Sequence, residues 1–186
     1  MSRLHCVFCE KRPVAELLLK PDLHHITCRK CGSYIIDAVS LLNFKFSEFY
    51  KERCSLAAIV KEINCRGESP LIGSAEKKND KVLTFAKMVS MAPKSIDEKA
   101  ERIVSNMQRM AERGNETMTI LKHDLAFYYA KSIQEVEEIK KHLTDNNFIA
   151  ISMHKSKIGE ENNYKFKFFE DASLTEKGRS LIKQKY

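Results

Sequence analysis

The sequence predicts an α+β chain, mainly helical, built in three successive parts, and three observations carry that expectation. Two Cys-x-x-Cys pairs, Cys6/Cys9 and Cys28/Cys31, stand near the start. Three Ser-x-x-Glu boxes, opening at Ser95, Ser132 and Ser173, mark capped helix N-termini. Between the last two boxes, an apolar run and then an alternating polar/aromatic run predict a hairpin. The 186 residues, 43% hydrophobic and 31% charged, have room for one core or two small ones. The chain has no apolar run long enough to span a bilayer, and Met1-Ser2-Arg3-Leu4 opens no apolar signal region. A cytoplasmic, reducing setting is therefore expected, and six cysteines, four of them in metal spacing, suit it.

The two cysteine pairs are separated by a segment that reads as a short hairpin. Val14–Leu19 and Leu23–Thr27 form its strands, and Lys20-Pro21-Asp22 forms its turn. Two residues between the members of a pair let one turn of backbone aim both sulfurs at a single point. Disulfides and a redox pair are the competing readings. Two matched pairs favour a closed tetrahedral site of Cys6, Cys9, Cys28 and Cys31 around Zn²⁺, a zinc ribbon over residues 1–37. Gly32 suits the second knuckle, where a left-handed residue is needed. His24 and His25 lie close by but are surplus to a four-cysteine set, and Cys54 reads as a small buried hydrophobe.

A helical connector and linker is expected over residues 38–94. Asp37–Phe46 begins helical, and Ser47–Asn64 is a clearer helix that ends at Gly67 and Pro70. Residues 71–94, with Gly73, the charged run Glu76–Lys81 and Pro93, read as linker.

Residues 95–186 hold the most legible pattern. Behind Ser95, the apolar stripe Ala100, Ile103, Val104, Met107 and Ala111 defines a helix stopped by Gly114. A second helix is expected over Ile120–Tyr129. Behind Ser132, Ile133, Val136, Ile139 and Leu143 define a third. Asn147 turns the chain into the strand Phe148–Met153, a polar tip follows over Lys155–Asn163, and Tyr164–Phe169 returns. Three helices and then a hairpin is the order of a winged helix-turn-helix domain. Winged-helix regulators commonly carry an apolar-Leu-x-x-x-Gly-apolar-Ile run and a later Leu-Thr-x-x-Gly. Leu143–Ile149 and Leu174-Thr175-Glu176-Lys177-Gly178 match them, with Asn147 in the glycine position.

Several segments together carry a further resemblance, in order: Cys28-Arg29-Lys30-Cys31-Gly32-Ser33-Tyr34, Leu56–Glu62 with Arg66–Ile72, Ser95–Ile103, and Leu174–Gly178. In these the chain is similar to an N-terminal module of bacterial proteins, many of which carry a Toll/interleukin-receptor-like or other effector domain and are associated with defence against phages. The resemblance implies the recognition or adaptor half of such a system, with its effector either a separate polypeptide or absent.

The formal charge is +7, and residues 146–186 carry 8 Lys/Arg against 5 acids, so nucleic acid is a natural partner, DNA ahead of RNA. Lys155, Lys157, Lys165 and Lys167 on the hairpin are the candidate phosphate contacts, with Arg29 and Lys30 on the second knuckle. A solvated lysine face is the plainer alternative. Glu135, Glu137 and Glu138 crowd the start of the third helix, where they would repel a phosphate backbone. They suit the helix dipole, and beyond that a partner protein. No phosphate-binding glycine loop, acid/base pair or nucleophile–base arrangement is readable, so a non-enzymatic role is expected. The expected function is nucleic-acid-binding or adaptor subunit. The alternative is a module that docks an effector or a second copy without touching nucleic acid.

Overall fold

The computed structural model describes residues 5–74, 81–114, 117–121, 124–158 and 165–183. At 117–119, 121, 154–158, 165–170 and 182–183 it describes the backbone alone. The fold is α+β, with six α-helices, a five-stranded mixed sheet and a three-stranded sheet among the described residues. None of these helices is long and apolar enough to cross a membrane. Two compact units emerge, Met1–Ala92 with Tyr129–Lys131, and Pro93–Tyr128 with Ser132–Tyr186.

The first unit starts as the expected hairpin, β1 (Ala15–Lys20) and β2 (Leu23–Cys28), turned at Pro21-Asp22. A third strand, β3 (Gly32–Asp37), pairs antiparallel with β2, beyond the two strands the sequence predicts. Asp37 then caps α1 (Ala38–Asn43), its Oδ1 accepting the Ser40 amide at 2.6 Å. Short 3₁₀ turns at 44–46 and 48–52 lead into α2 (Arg53–Cys65), which packs on β3. Leu56, Ile59, Val60 and Ile63 of α2 are buried, as are Tyr34, Ile36 and Ile72 of the sheet, and together they make up much of this unit's core.

The described parts of 71–94 hold regular elements where the sequence predicts a linker. Leu71–Ile72 (β4) and Val82–Leu83 (β5) extend the sheet in parallel, giving the order β1-β2-β3-β4-β5, and Phe85–Met91 forms α3 behind a Thr84 cap. Of the charged run, residues 76–80 lie outside the described residues. Asp37 also accepts the Ser74 amide at 3.0 Å, tying the end of β3 to the end of β4. The sequence suggests a division between 1–37 and 38–94, whereas β3–β4 pairing and the packing of α2 on β3 gather both into one unit.

In the second unit, the Ser95 capping box is present in both directions and opens α4 (Ile96–Ala111), whose Ala100, Ile103, Val104 and Met107 are buried. The helix expected over Ile120–Tyr129 does not form. Thr117–Leu121 is a strand, β6, and residues 125–129 turn beside Asp124, whose Oδ1 accepts the Ala126 and Phe127 amides at 3.1 and 3.2 Å. A carboxylate that can satisfy nearby amides offers the backbone an alternative to helix. Ser132 caps α5 (Ile133–Asp145), which buries Val136, Ile139 and Leu143 but leaves Ile133 55% exposed, outside the apolar stripe expected of it.

Asn147 adopts φ 55°, the left-handed step expected in the glycine position, and leads into β7 (Ile149–Ile158). β7 pairs along its length with β8 (Lys165–Leu174), and β6 pairs with the other edge of β8, giving the order β6-β8-β7. Lys155 and Lys157 therefore sit within β7 rather than on a loop, and residues 159–163 of the expected tip lie outside the described residues.

The last helix, α6 (Glu176–Lys183), is capped by Thr175 and not by Ser173. Thr175 Oγ1 accepts the Gly178 amide at 3.1 Å, while Ser173 stays in β8. Strands β3, β4, β5 and β6 shift the balance of the chain toward sheet and away from the mainly helical expectation.

Candidate metal centre

The Sγ atoms of Cys6, Cys9, Cys28 and Cys31 all lie within 4.8 Å of one another. Cys9 and Cys28 approach to 3.5 Å, too far for a disulfide, whose sulfurs stand about 2.05 Å apart, and all six cysteines of the chain are free thiols. A tetrahedron with metal–sulfur bonds of about 2.3 Å has edges of about 3.8 Å, a length that falls between the 3.5 Å Cys9–Cys28 separation and the 4.8 Å within which all four sulfurs lie. Four thiolates fill that tetrahedron, and an all-sulfur set of this geometry is the donor chemistry of structural zinc.

Each knuckle is held from outside the cysteines. At the first, the Glu10 amide donates to the Cys6 carbonyl at 2.7 Å, and Glu10 itself takes φ 57°. At the second, Gly32 takes φ 88°, so the residue after each cysteine pair is left-handed. A Cβ on Gly32 would stand 2.1 Å from Asn64 Oδ1. That close approach is useful. The Asn64 amide accepts from the Ser33 N–H at 2.7 Å and donates to its carbonyl at 2.8 Å, so α2 clamps the knuckle's exit.

Tyr34 serves the first pair. Its hydroxyl donates to Cys6 Sγ at 3.3 Å and accepts the Val7 amide at 3.2 Å, while its ring packs 5.0 Å from that of Phe8. Such partners orient ligands and tune the metal. Neither Tyr34 nor Asn64 is legible in the sequence, because spacing identifies ligands and not the groups that hold them.

The electrostatics of the cluster call for a cation. Cys6 is drawn down to about 5, first by the hydrogen bond from the Cys31 thiol and then, against the cost of burial, by the Tyr34 hydroxyl. Cys9 is pushed up to about 11, chiefly by burial. Cys31 is driven far up because its thiol is engaged by Cys6, with burial adding to it. Cys6 is favoured as a thiolate while Cys9 and Cys31 are held protonated beside it. A divalent ion removes that conflict by compensating the charge.

The other predicted site residues are dispersed. Arg29 is exposed and Lys30 half-buried on the turn between Cys28 and Cys31. His25 Nε2 lies 2.7 Å from Ser33 Oγ, and His24 faces Glu16 at 3.4 Å; neither belongs to the sulfur cluster. On the ribbon, Lys155 stands opposite Phe168, Lys157 opposite Phe166, Lys167 opposite Ser156 and Lys165 opposite Ile158. Directly opposed residues share a face, so these four register positions divide two and two between the sides of the ribbon. Their side chains lie outside the described residues.

The carboxylates of α5 have internal partners. Glu135 pairs with the buried Lys99 of α4, Glu137 with Lys140 at 3.3 Å, and Glu138 accepts from Gln134 at 3.3 Å. Lys140, itself buried, also lies 5.4 Å from the centre of the Tyr128 ring.

Comparison with protein-family models, curated proteins and solved structures finds no match for this chain. Of the resemblance drawn from sequence, the four-cysteine cluster is the part these findings support.

Proposed function

We propose that this chain is a zinc-organised, non-catalytic nucleic-acid-binding subunit whose second unit is a winged-helix domain with a turn at Asp124 where the sequence predicts the second helix. The observation that supports this most is the order of its elements. α5 runs through a left-handed Asn147 directly into β7, and β7 returns as β8 beside β6. A two-stranded ribbon following a helix is a shape that fits duplex DNA, whose major groove admits either element. The net charge of +7 is in keeping with phosphate contact, as is a pair of lysine positions on either side of the ribbon, Lys155 and Lys157 on one and Lys165 and Lys167 on the other. The α5 carboxylates oppose such contact less than their number suggests, since Glu135 and Glu137 are paired with lysines of the same unit. The sulfur cluster would hold zinc as a structural element, with Arg29 and Lys30 a second contact point. Following the sequence resemblance, the biological setting would be a bacterial defence system in which this chain adapts a separate effector to its target.

The test is fluorescence anisotropy with duplex DNA across a range of salt. Binding should weaken steeply with salt. Replacing Lys155, Lys157, Lys165 and Lys167 with Gln should lower affinity about equally for all sequences. It should also flatten the salt slope by up to about one unit for each phosphate those lysines neutralise. Failure to bind any duplex at low salt would sink the reading. Unchanged affinity in the lysine variant, with loss of binding on reversing Arg29 and Lys30, would move the DNA-binding surface to the knuckle.

A further inference from the structure

The first unit carries an apolar face that nothing in the described chain covers. Val39, Leu42 and Phe46 are 59%, 70% and 88% exposed. Steps of three and four residues place them on one side of α1 and the 3₁₀ turn that continues it. Beside them opens a groove of about 420 Å³, lined by Leu41, Phe44, Tyr50, Phe46, Glu10 and Lys45 together with Leu42 and the His5–Val7 stretch of the first knuckle. Among these, Lys45 Nζ lies 3.2 Å from Glu10 Oε1, which also accepts the Tyr50 hydroxyl at 2.9 Å. Both charged side chains are at least half exposed, at 68% and 50%.

A phenyl ring left in water forgoes about 1.5–3 kcal/mol of burial, and no contact of Phe46 within the described chain offsets that. The patch holds a knob and a hole side by side, together with one acid and one base. A surface with both halves of a contact is complementary to itself, which is what an isologous two-fold interface requires. Under that symmetry the Phe46 of each copy enters the other's groove, and Lys45 reaches the partner's Glu10 without bringing like charges together. We propose that this face is the interface of a homodimer. Another exposed apolar feature of the first unit, edge strand β1 with Leu17, Leu18 and Leu19, is less suited to pairing. Its register slips between Leu18 and Lys20, breaking the regular row of edge donors and acceptors.

Sedimentation equilibrium of the full-length, zinc-loaded protein from low to high micromolar concentration tests this. The wild type should dimerise, and Phe46→Asp should raise the dissociation constant about tenfold or more with zinc content unchanged. Lys45→Glu and Glu10→Lys should each weaken self-association alone, and an equimolar mixture of the two should recover it, which only a contact between copies can do. Leu18→Lys should dimerise like the wild type. A wild type that stays monomeric, a Phe46→Asp protein that dimerises as well as wild type, a mixture that recovers nothing, or dissociation by Leu18→Lys would each overturn the proposal.

Discussion

Tyr34 shows how one hydroxyl can organise a metal site without touching the metal. It donates to Cys6 Sγ and accepts the Val7 amide, so it fixes both a ligand and the backbone of that ligand's loop. Tyr34→Phe keeps the ring against Phe8 and removes only these bonds. Zinc affinity, measured by competition with a chelating dye, should fall about tenfold to a hundredfold with the fold retained. Gly178 acts by absence: a Cβ there would stand 2.1 Å from the Phe148 carbonyl oxygen. Thr175 and Leu174 complete the logic of the Leu-Thr-x-x-Gly run. The threonine donates to the Phe148 carbonyl at 3.2 Å and caps α6, and the leucine is buried. Gly178→Ala should lower stability in urea unfolding by about 1–3 kcal/mol, since the obstructing atom is backbone and cannot swing away. Gly178 was legible because its motif is contiguous. Tyr34 was not, because no spacing rule says which ring will lie on a thiolate 28 residues earlier.

Helices α4 and α5 are joined by an ion pair that the sequence presented as something else. Glu135 read as the partner in a capping box and as part of an acidic face, yet its carboxylate meets the ammonium of Lys99, a side chain only 4% exposed. Glu135→Gln leaves that ammonium buried without its counter-charge and should destabilise the second unit by about 1–3 kcal/mol. Adding Lys99→Met to Glu135→Gln should recover most of the loss in urea unfolding, because removing both partners of a buried pair is close to neutral.

At the start of α4, the Glu98 carboxyl is held below the usual carboxylate range by the amides of Lys94 and then Ser95. A lowered folded-state value stabilises at neutral pH, and that contribution fades as pH falls from about 4.5 through the folded value. The stability difference between wild type and Glu98→Gln should therefore shrink in that window; a difference independent of pH would contradict the assignment.

Long capped helices such as α4 and α5 were legible because period and caps agree over several turns. Strands β4 and β5 were not, being two residues each and defined only by their neighbours. β6 was lost because Thr117–Leu121 runs into the apolar residues of the Asp124 turn, and together they mimic one short helix.

For the molecule as a whole, the sulfur cluster and the second unit should respond separately to loss of metal. A strong zinc chelator, or acid that protonates the thiolates, should open the first unit to protease while α4–α6 keep their helical signal, followed by limited proteolysis and far-UV circular dichroism. The first unit also includes Tyr129–Lys131, three residues that the chain contributes from between β6 and α5. Tyr129 takes φ 52°, an unusual conformation for a residue with a bulky side chain, and donates its hydroxyl to the buried Glu62 carboxylate at 2.8 Å; Lys131 reaches Glu52 at 3.0 Å. In consequence, the boundary between the units cannot be reproduced with scissors. A fragment ending at residue 92 would be missing a piece of its own interior, and a fragment beginning at residue 93 would carry that piece away as a loose bridge. Gene-level dissection, deletion mapping and fusion junctions at this seam will report on a damaged first unit unless the 129–131 segment travels with it.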